Sequence, residues 1–179
     1  VYNQLVYTDC PDISLDADLK DQMILCQSFS KPYAMTGWRV GYLTCPEYVM
    51  DRLLLLSAAE ITAVPTFLQD AAVAALGTDP SPMVEVYRKR RAYVCRRLDE
   101  MGLSYPAPDG AFYVFPDVSK FGLSSEEFCE KLLYEKHVAI VPGTAFGDSG
   151  EGFARLSYAY SVRHIEQAMD RLAEFVKTL

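Results

Sequence analysis

Ser28, Lys31 and Arg39 place a hydroxyl, a primary amine and a guanidinium in one short segment, Ser28-Phe29-Ser30-Lys31-Pro32-Tyr33-Ala34-Met35-Thr36-Gly37-Trp38-Arg39-Val40-Gly41. A dianionic phosphate needs directed donors and fixed positive charge, and Ser and Arg supply both. A carbonyl compound held covalently needs a nucleophile, and Lys offers a primary amine that condenses with it. Lys31 follows an apolar run at 23–26 that reads as a buried strand. Phe29, Met35 and Trp38 flank it, which makes it a poor surface lysine. Pro32 turns Lys31 away from helical dihedrals, towards an extended conformation. The plainer reading is a strand followed by an ordinary glycine turn. That reading does not require Ser, Lys, Gly, Arg and Gly to fill these spacings together.

A second constellation is Val141-Pro142-Gly143-Thr144-Ala145-Phe146-Gly147, followed by Phe153-Ala154-Arg155-Leu156-Ser157. An arginine inside an apolar strand is uncommon, because a buried guanidinium needs an anionic partner. Arg155 could grip a planar carboxylate through two parallel hydrogen bonds, or it could pair with an internal Asp or Glu. Asp109-Gly110-Ala111-Phe112-Tyr113 is a further candidate, where Gly110 would let the backbone turn or approach a ligand closely. Strand initiation and pocket lining are both open for it.

The first segment resembles the cofactor-lysine motif of the pyridoxal phosphate (PLP)-dependent class I/II aminotransferases, Ser-x-Ser-Lys-x-x-x-x-x-Gly-x-Arg-x-Gly. The second resembles the same family's Pro-Gly-x-x-Phe-Gly turn and Arg-Leu-Ser strand, and Gly110-Ala111-Phe112-Tyr113 is similar to its Gly-Ala-Phe-Tyr signature. Val1-Tyr2-Asn3-Gln4 resembles the segment that follows the family's Asp-Glu-x-Tyr motif, with Tyr2 at the Tyr and the Asp falling before Val1. The resemblance covers nearly the whole chain. It implies the C-terminal portion of a fold type I enzyme of the aspartate aminotransferase superfamily. Lys31 would be the catalytic lysine that holds PLP and also acts as a base. Ser28 and Arg39 would hold the phosphate, Tyr2 would bond the cofactor's phenolic oxygen, and Arg155 would bind the substrate carboxylate. The implied reaction transfers an amino group from an L-amino acid to a 2-oxo acid in a cytoplasmic homodimer. PLP-dependent β-lyases and aminocyclopropane-carboxylate synthases resemble the motif set too. So does the aminotransferase-like effector domain of some transcription regulators, and a non-catalytic fragment kept because it folds is a further alternative. The start at Val1, without an initiator Met, suggests a piece of a longer chain, and this chain alone is expected to be inactive or nearly so.

Composition narrows the field. Half of the 179 residues are hydrophobic, which supports a core and argues against disorder. The net charge of −7 argues against a nucleic-acid partner. No apolar run reaches membrane-span length. The five cysteines, Cys10, Cys26, Cys45, Cys95 and Cys129, include no CxxC pair, so reduced cytosolic thiols are expected. Cys26, Cys95 and Cys129 lie in apolar segments as small hydrophobes. His137 and His164 lack partners at ligand spacing, so no metal site is expected.

The elements that must position these residues alternate. Strands are expected at 5–7, 23–27 and 38–44, the second buried, with a loop at 11–19. An amphipathic helix should run from Pro46 to about residue 59 and carry Leu53 to Leu56. A second helix runs from Pro65 to a Gly77 cap. A long helix from Met83 to Gly102 presents Tyr87, Val94 and Leu98 on one face, with Arg88, Lys89, Arg90 and Arg91 as a solvated face rather than a phosphate site. Then come a strand at 111–115, a helix opened by a Ser124–Glu127 capping box, strands at 138–141 and 153–158, and a last helix from Ser161 burying Ile165, Met169, Leu172 and Val176. The expected fold class is α/β, in two domains. Residues 1–85 are part of a large, mostly parallel PLP-binding domain, and residues 86–179 form a small α/β domain.

Overall fold

The computed structural model describes residues 1–11 and 16–179. The chain divides into two compact units, Val1–Val84 and Glu85–Leu179.

In the first unit, β1 (Leu25–Ser28) pairs with β2 (Gly41–Thr44), with Leu25 opposite Thr44 and Ser28 opposite Gly41. The pairing is antiparallel, not the parallel arrangement expected. Parallel neighbours need a crossover that climbs back along the sheet, and residues 29–40 fold instead as a series of turns. The Phe29 N–H donates to the Val40 carbonyl at 3.2 Å and closes the loop at its base. A Cβ at position 41 would lie 2.5 Å from the Gln27 carbonyl oxygen, so the cross-strand approach requires Gly41. The loop packs on α2 (Thr66–Leu76) through a small core of Phe29, Met35, Val40 and Ala75.

Other expectations in this unit are corrected. The stretch expected as a buried strand, 23–27, is not buried: Cys26 is exposed and Ile24, just ahead of β1, is 55% exposed. Two strands alone cannot cover both of their own faces. Residues 5–7 form no strand beyond a single bridge at Val6, because the Leu5 N–H turns back to the Tyr2 carbonyl at 2.8 Å. Of the expected loop at 11–19, residues 12–15 lie outside the described residues, and Ala17–Leu19 is a 3-10 turn capped by Asp16. Pro46 and Pro65 stand at the N-cap positions of α1 (Glu47–Glu60) and α2. α1 buries none of its residues, and Leu54, Leu55 and Leu56 are all exposed. Consecutive leucines spread around a helix instead of lining one face, so the run does not make α1 amphipathic.

The second unit begins within α3 (Ser81–Glu100), which starts ahead of Met83 because the Asp79 carboxylate accepts the Ser81 N–H at 2.9 Å. Its sheet has the order β3 (Tyr113–Val114), β5 (Ala154–Ser157), β4 (Val141–Pro142), antiparallel throughout. α4 (Ser125–Lys136) opens with the full capping box of Ser124 and Glu127. α5 (Val162–Val176) is capped by Ser161 and buries Ile165, Met169, Leu172 and Phe175. Phe175 replaces Val176 in the expected stripe because its ring meets Phe128 of α4 edge-on at 5.3 Å. Phe128 and Phe175 are fully buried, and each such side chain contributes about 1.5–3 kcal/mol. Arg97 ties α3 to α5 through Asp170 at 2.7 Å.

The turn before β5 is locked from two sides. Buried Ser125 accepts the Gly152 N–H on its Oγ at 2.8 Å, and its own N–H donates to the Glu151 carboxylate at 2.9 Å. Gly143 and Gly150 meet backbone to backbone. A Cβ on Gly143 would collide with the Gly150 carbonyl oxygen and lie 2.8 Å from that of Phe153. Ser125→Ala leaves the Gly152 N–H unpaired in a dry site, so a loss of about 1–3 kcal/mol is expected in urea unfolding.

All five thiols are free. Cys129 is buried, which pushes its thiol up to about 11. Cys95 is partly buried and is raised by the same loss of hydration, whereas Cys26 is exposed rather than acting as a small hydrophobe. Iodoacetamide at pH 8 should label Cys10 and Cys26 in the native protein and spare Cys129, read by peptide mass.

Candidate functional site

Lys31 sits partly buried inside the loop that β1 and β2 close. Turns hold it there: the Tyr33 N–H donates to the Phe29 carbonyl at 3.3 Å and the Ala34 N–H to the Lys31 carbonyl at 3.4 Å. Ala34 and Arg39 both adopt the left-handed conformation, with φ of +53° and +54°. Such a residue costs on the order of 1–3 kcal/mol when it carries a Cβ, and strain of this kind gathers at binding sites. Ser28 and Arg39 stand at the base of the loop, beside the Ser28–Gly41 pair. The Ser28 Oγ accepts the Ser30 N–H at 3.1 Å, which leaves its hydroxyl hydrogen to donate. Arg39 is exposed and spends one N–H on the Thr36 carbonyl at 3.0 Å. Gln4 donates to the Tyr33 hydroxyl at 3.2 Å and so ties the segment carrying half-buried Tyr2 to the loop. One loop therefore presents an amine for a carbonyl group and two donors for an anion. That donor set fits a phosphorylated carbonyl compound.

Arg155 belongs to the second unit. Along β5, Ala154 and Leu156 are buried while Arg155 and Ser157 face outward, as the two-residue period of a strand requires. The register sets Val141 opposite Arg155 and Tyr113 opposite Ser157. Arg155 is therefore half-exposed on the open face rather than deep in the core. Its Cζ lies over the Tyr113 ring at 4.4 Å and over the Phe146 ring at 4.3 Å. Among the described residues no acidic side chain pairs with it, so no ion pair among them accounts for its place. Its planar edge remains able to take a carboxylate.

At the Gly110 turn it is Ala111, not Gly110, that adopts positive φ, at +59°. The Tyr158 hydroxyl donates to the Ala111 carbonyl at 3.4 Å, and the turn delivers Phe112 and Tyr113 to the sheet. The basic run on α3 is structural: Arg88 pairs with Glu85 at 3.5 Å, Arg91 donates to the Pro108 carbonyl at 2.6 Å, and Arg90 lies over Tyr87 at 5.4 Å. Among the described residues there is no metal-binding cluster of His, Cys, Asp or Glu, and no helix is long and apolar enough to cross a membrane. Sequence reasoning missed Tyr113 and Phe146 as partners of Arg155. A diagonal cross-strand pairing could have found the first, but nothing local could have found the second.

The chain belongs to the class I and II aminotransferase family, whose model matches residues 1–172. It is similar to aromatic-amino-acid aminotransferase 2 of Thermococcus litoralis, 41% identical over 99% of this chain and 47% of that protein. It is also similar to an aspartate aminotransferase of Pyrococcus abyssi, 39% identical over 99% of this chain and 47% of that one. Among solved structures, an aromatic aminotransferase from Pyrococcus horikoshii superposes with a TM-score of 0.94 at 38% identity, covering 99% of this chain and 49% of that one. The chain spans about half the length of the relatives it matches.

Arg155→Met should lose no more than about 1–2 kcal/mol in urea unfolding, the worth of two partly exposed cation–π contacts. Breaking a buried ion pair would cost about 3–5 kcal/mol.

Proposed function

We propose that this chain carries the lysine half of a PLP-dependent aminotransferase that moves an amino group from an L-amino acid to a 2-oxo acid. The observation that carries the reading is Lys31 held with Ser28 and Arg39 in one closed loop. PLP, when bound, supplies the electron sink that makes the substrate Cα–H acidic. Lys31 would hold the cofactor through its amine, and its Nζ is the group that would take the proton from Cα as a general base. Ser28 and Arg39 hold the phosphate, the first by its hydroxyl and the second by its charge. Tyr2 would offer its hydroxyl to the cofactor's phenolic oxygen. Arg155 grips the substrate α-carboxylate and orients Cα. The five unpaired thiols suit a reducing cytoplasm, and the apolar surfaces of α1 and α2 suit a homodimer.

The test is covalent. With PLP added, the chain should develop a visible absorption band. Borohydride reduction should then leave the added mass on the peptide containing Lys31. Lys31→Ala should lose both, and Arg39→Ala should weaken PLP binding about ten-fold or more, as loss of a charge-assisted contact to phosphate does. Label spread over other lysines, or an unchanged band in Lys31→Ala, would refute the assignment.

A further inference from the structure

We infer that Tyr113 and Phe146 are positioning residues for carboxylate binding, acting as an aromatic clamp on Arg155. The inference rests on the reading of Arg155 as the carboxylate-binding group. β5 is the central strand, with β3 on one flank and β4 on the other. Tyr113 reaches Arg155 from β3, and Phe146 reaches it from the turn that follows β4, so the two rings approach from opposite flanks. Both lie over Cζ, at 4.4 and 4.3 Å. A guanidinium is attracted to ring faces by its own faces, while its N–H donors point outward in its plane. Held this way, the group loses water from its faces and keeps its edge open.

Each ring is itself braced. Phe146 meets Phe115 edge-on at 5.7 Å. Tyr113 packs against Phe112 at 4.7 Å, and Phe112 stacks on Tyr87 of α3 at 5.5 Å. The clamp is thus anchored to α3 on one flank. On the other it is anchored to the turn locked by the Gly143–Gly150 contact and Ser125. Among the described residues no carboxylate fixes the guanidinium, so the rings supply the orientation an ion pair would otherwise provide. An arginine fixed before its ligand arrives loses less rotamer freedom on binding. A planar carboxylate meets two parallel N–H groups of a held plane, which gives the clamp a role in specificity.

The test reads Arg155 directly, in the chain as it stands, by guanidinium nitrogen NMR. In the wild type, rotation about Nε–Cζ of Arg155 should be slow enough to separate its Nη signals. In Tyr113→Leu and Phe146→Leu the signals should merge. Tyr113→Phe, which keeps the ring, should retain the separation. The backbone amide spectrum reports whether each variant folds, and if a leucine variant does not, Phe146→Tyr against Phe146→Met repeats the comparison. Acetate then probes the ligand: it should shift the Arg155 Nε signal, with an affinity weakened about two- to five-fold in the leucine variants. Averaged Nη signals in the folded wild type would overturn the clamp. Slow rotation with no response to acetate would leave a clamp that serves no carboxylate; it would overturn both the ligand part of this inference and the role given to Arg155 above, while the Lys31 labelling would stand or fall separately.

Discussion

The alternation of side chains along β5 governs the second unit. With β3 and β4 on its two flanks, the strand can send Ala154 and Leu156 only into the core, and Arg155 and Ser157 only outward. A slip of one residue would bury the guanidinium and expose the leucine, at a cost far above that of any single contact. The packing of α4 on α5, where buried Phe128 meets Phe175, supplies the core that favours that choice. The open face gains Arg155 for the same reason that the closed face gains its core.

The first unit solves a different problem. A short hairpin must carry an amine, a hydroxyl and a guanidinium in one loop without letting the loop fold flat. It does so with turns, a small core of Phe29, Met35, Val40 and Ala75 against α2, and left-handed backbone at Ala34 and Arg39. The strain at these two residues is offset by packing on either side. Gly41 allows the base of the loop to close against the Gln27 carbonyl. Stability and site geometry thus use the same residues, which ties any loosening of the loop to a loss of order around Lys31.

The contiguous features were legible in the sequence. Ser28, Lys31 and Arg39 lie within one segment, and their joint spacing has few other uses. The Ser124–Glu127 box and the Ser161 cap are local hydrogen-bond devices, and the structure has both. The stripe on α5 was readable from its period up to the last turn, where Phe175 displaced Val176 because the ring of Phe128, far away in sequence, was there to meet it. Less legible were the pairing of β1 with β2, the exposure of Cys26 and the unburied leucines of α1. A run of apolar residues states only that burial would be favourable, not which surface provides it.

By itself the sequence determined the order of the elements in the second unit and the family to which the chain belongs, because motifs and caps are set by residues a few positions apart. Only the tertiary structure decided what surrounds Arg155. Tyr113, Phe146 and Arg155 come from three separate stretches of chain. Their meeting depends on strand register and on a turn locked by Gly143, Gly150 and Ser125. Register is a collective property of the paired backbone and the packed core. No single residue encodes it, so the aromatic surroundings of Arg155 could be read only from the fold.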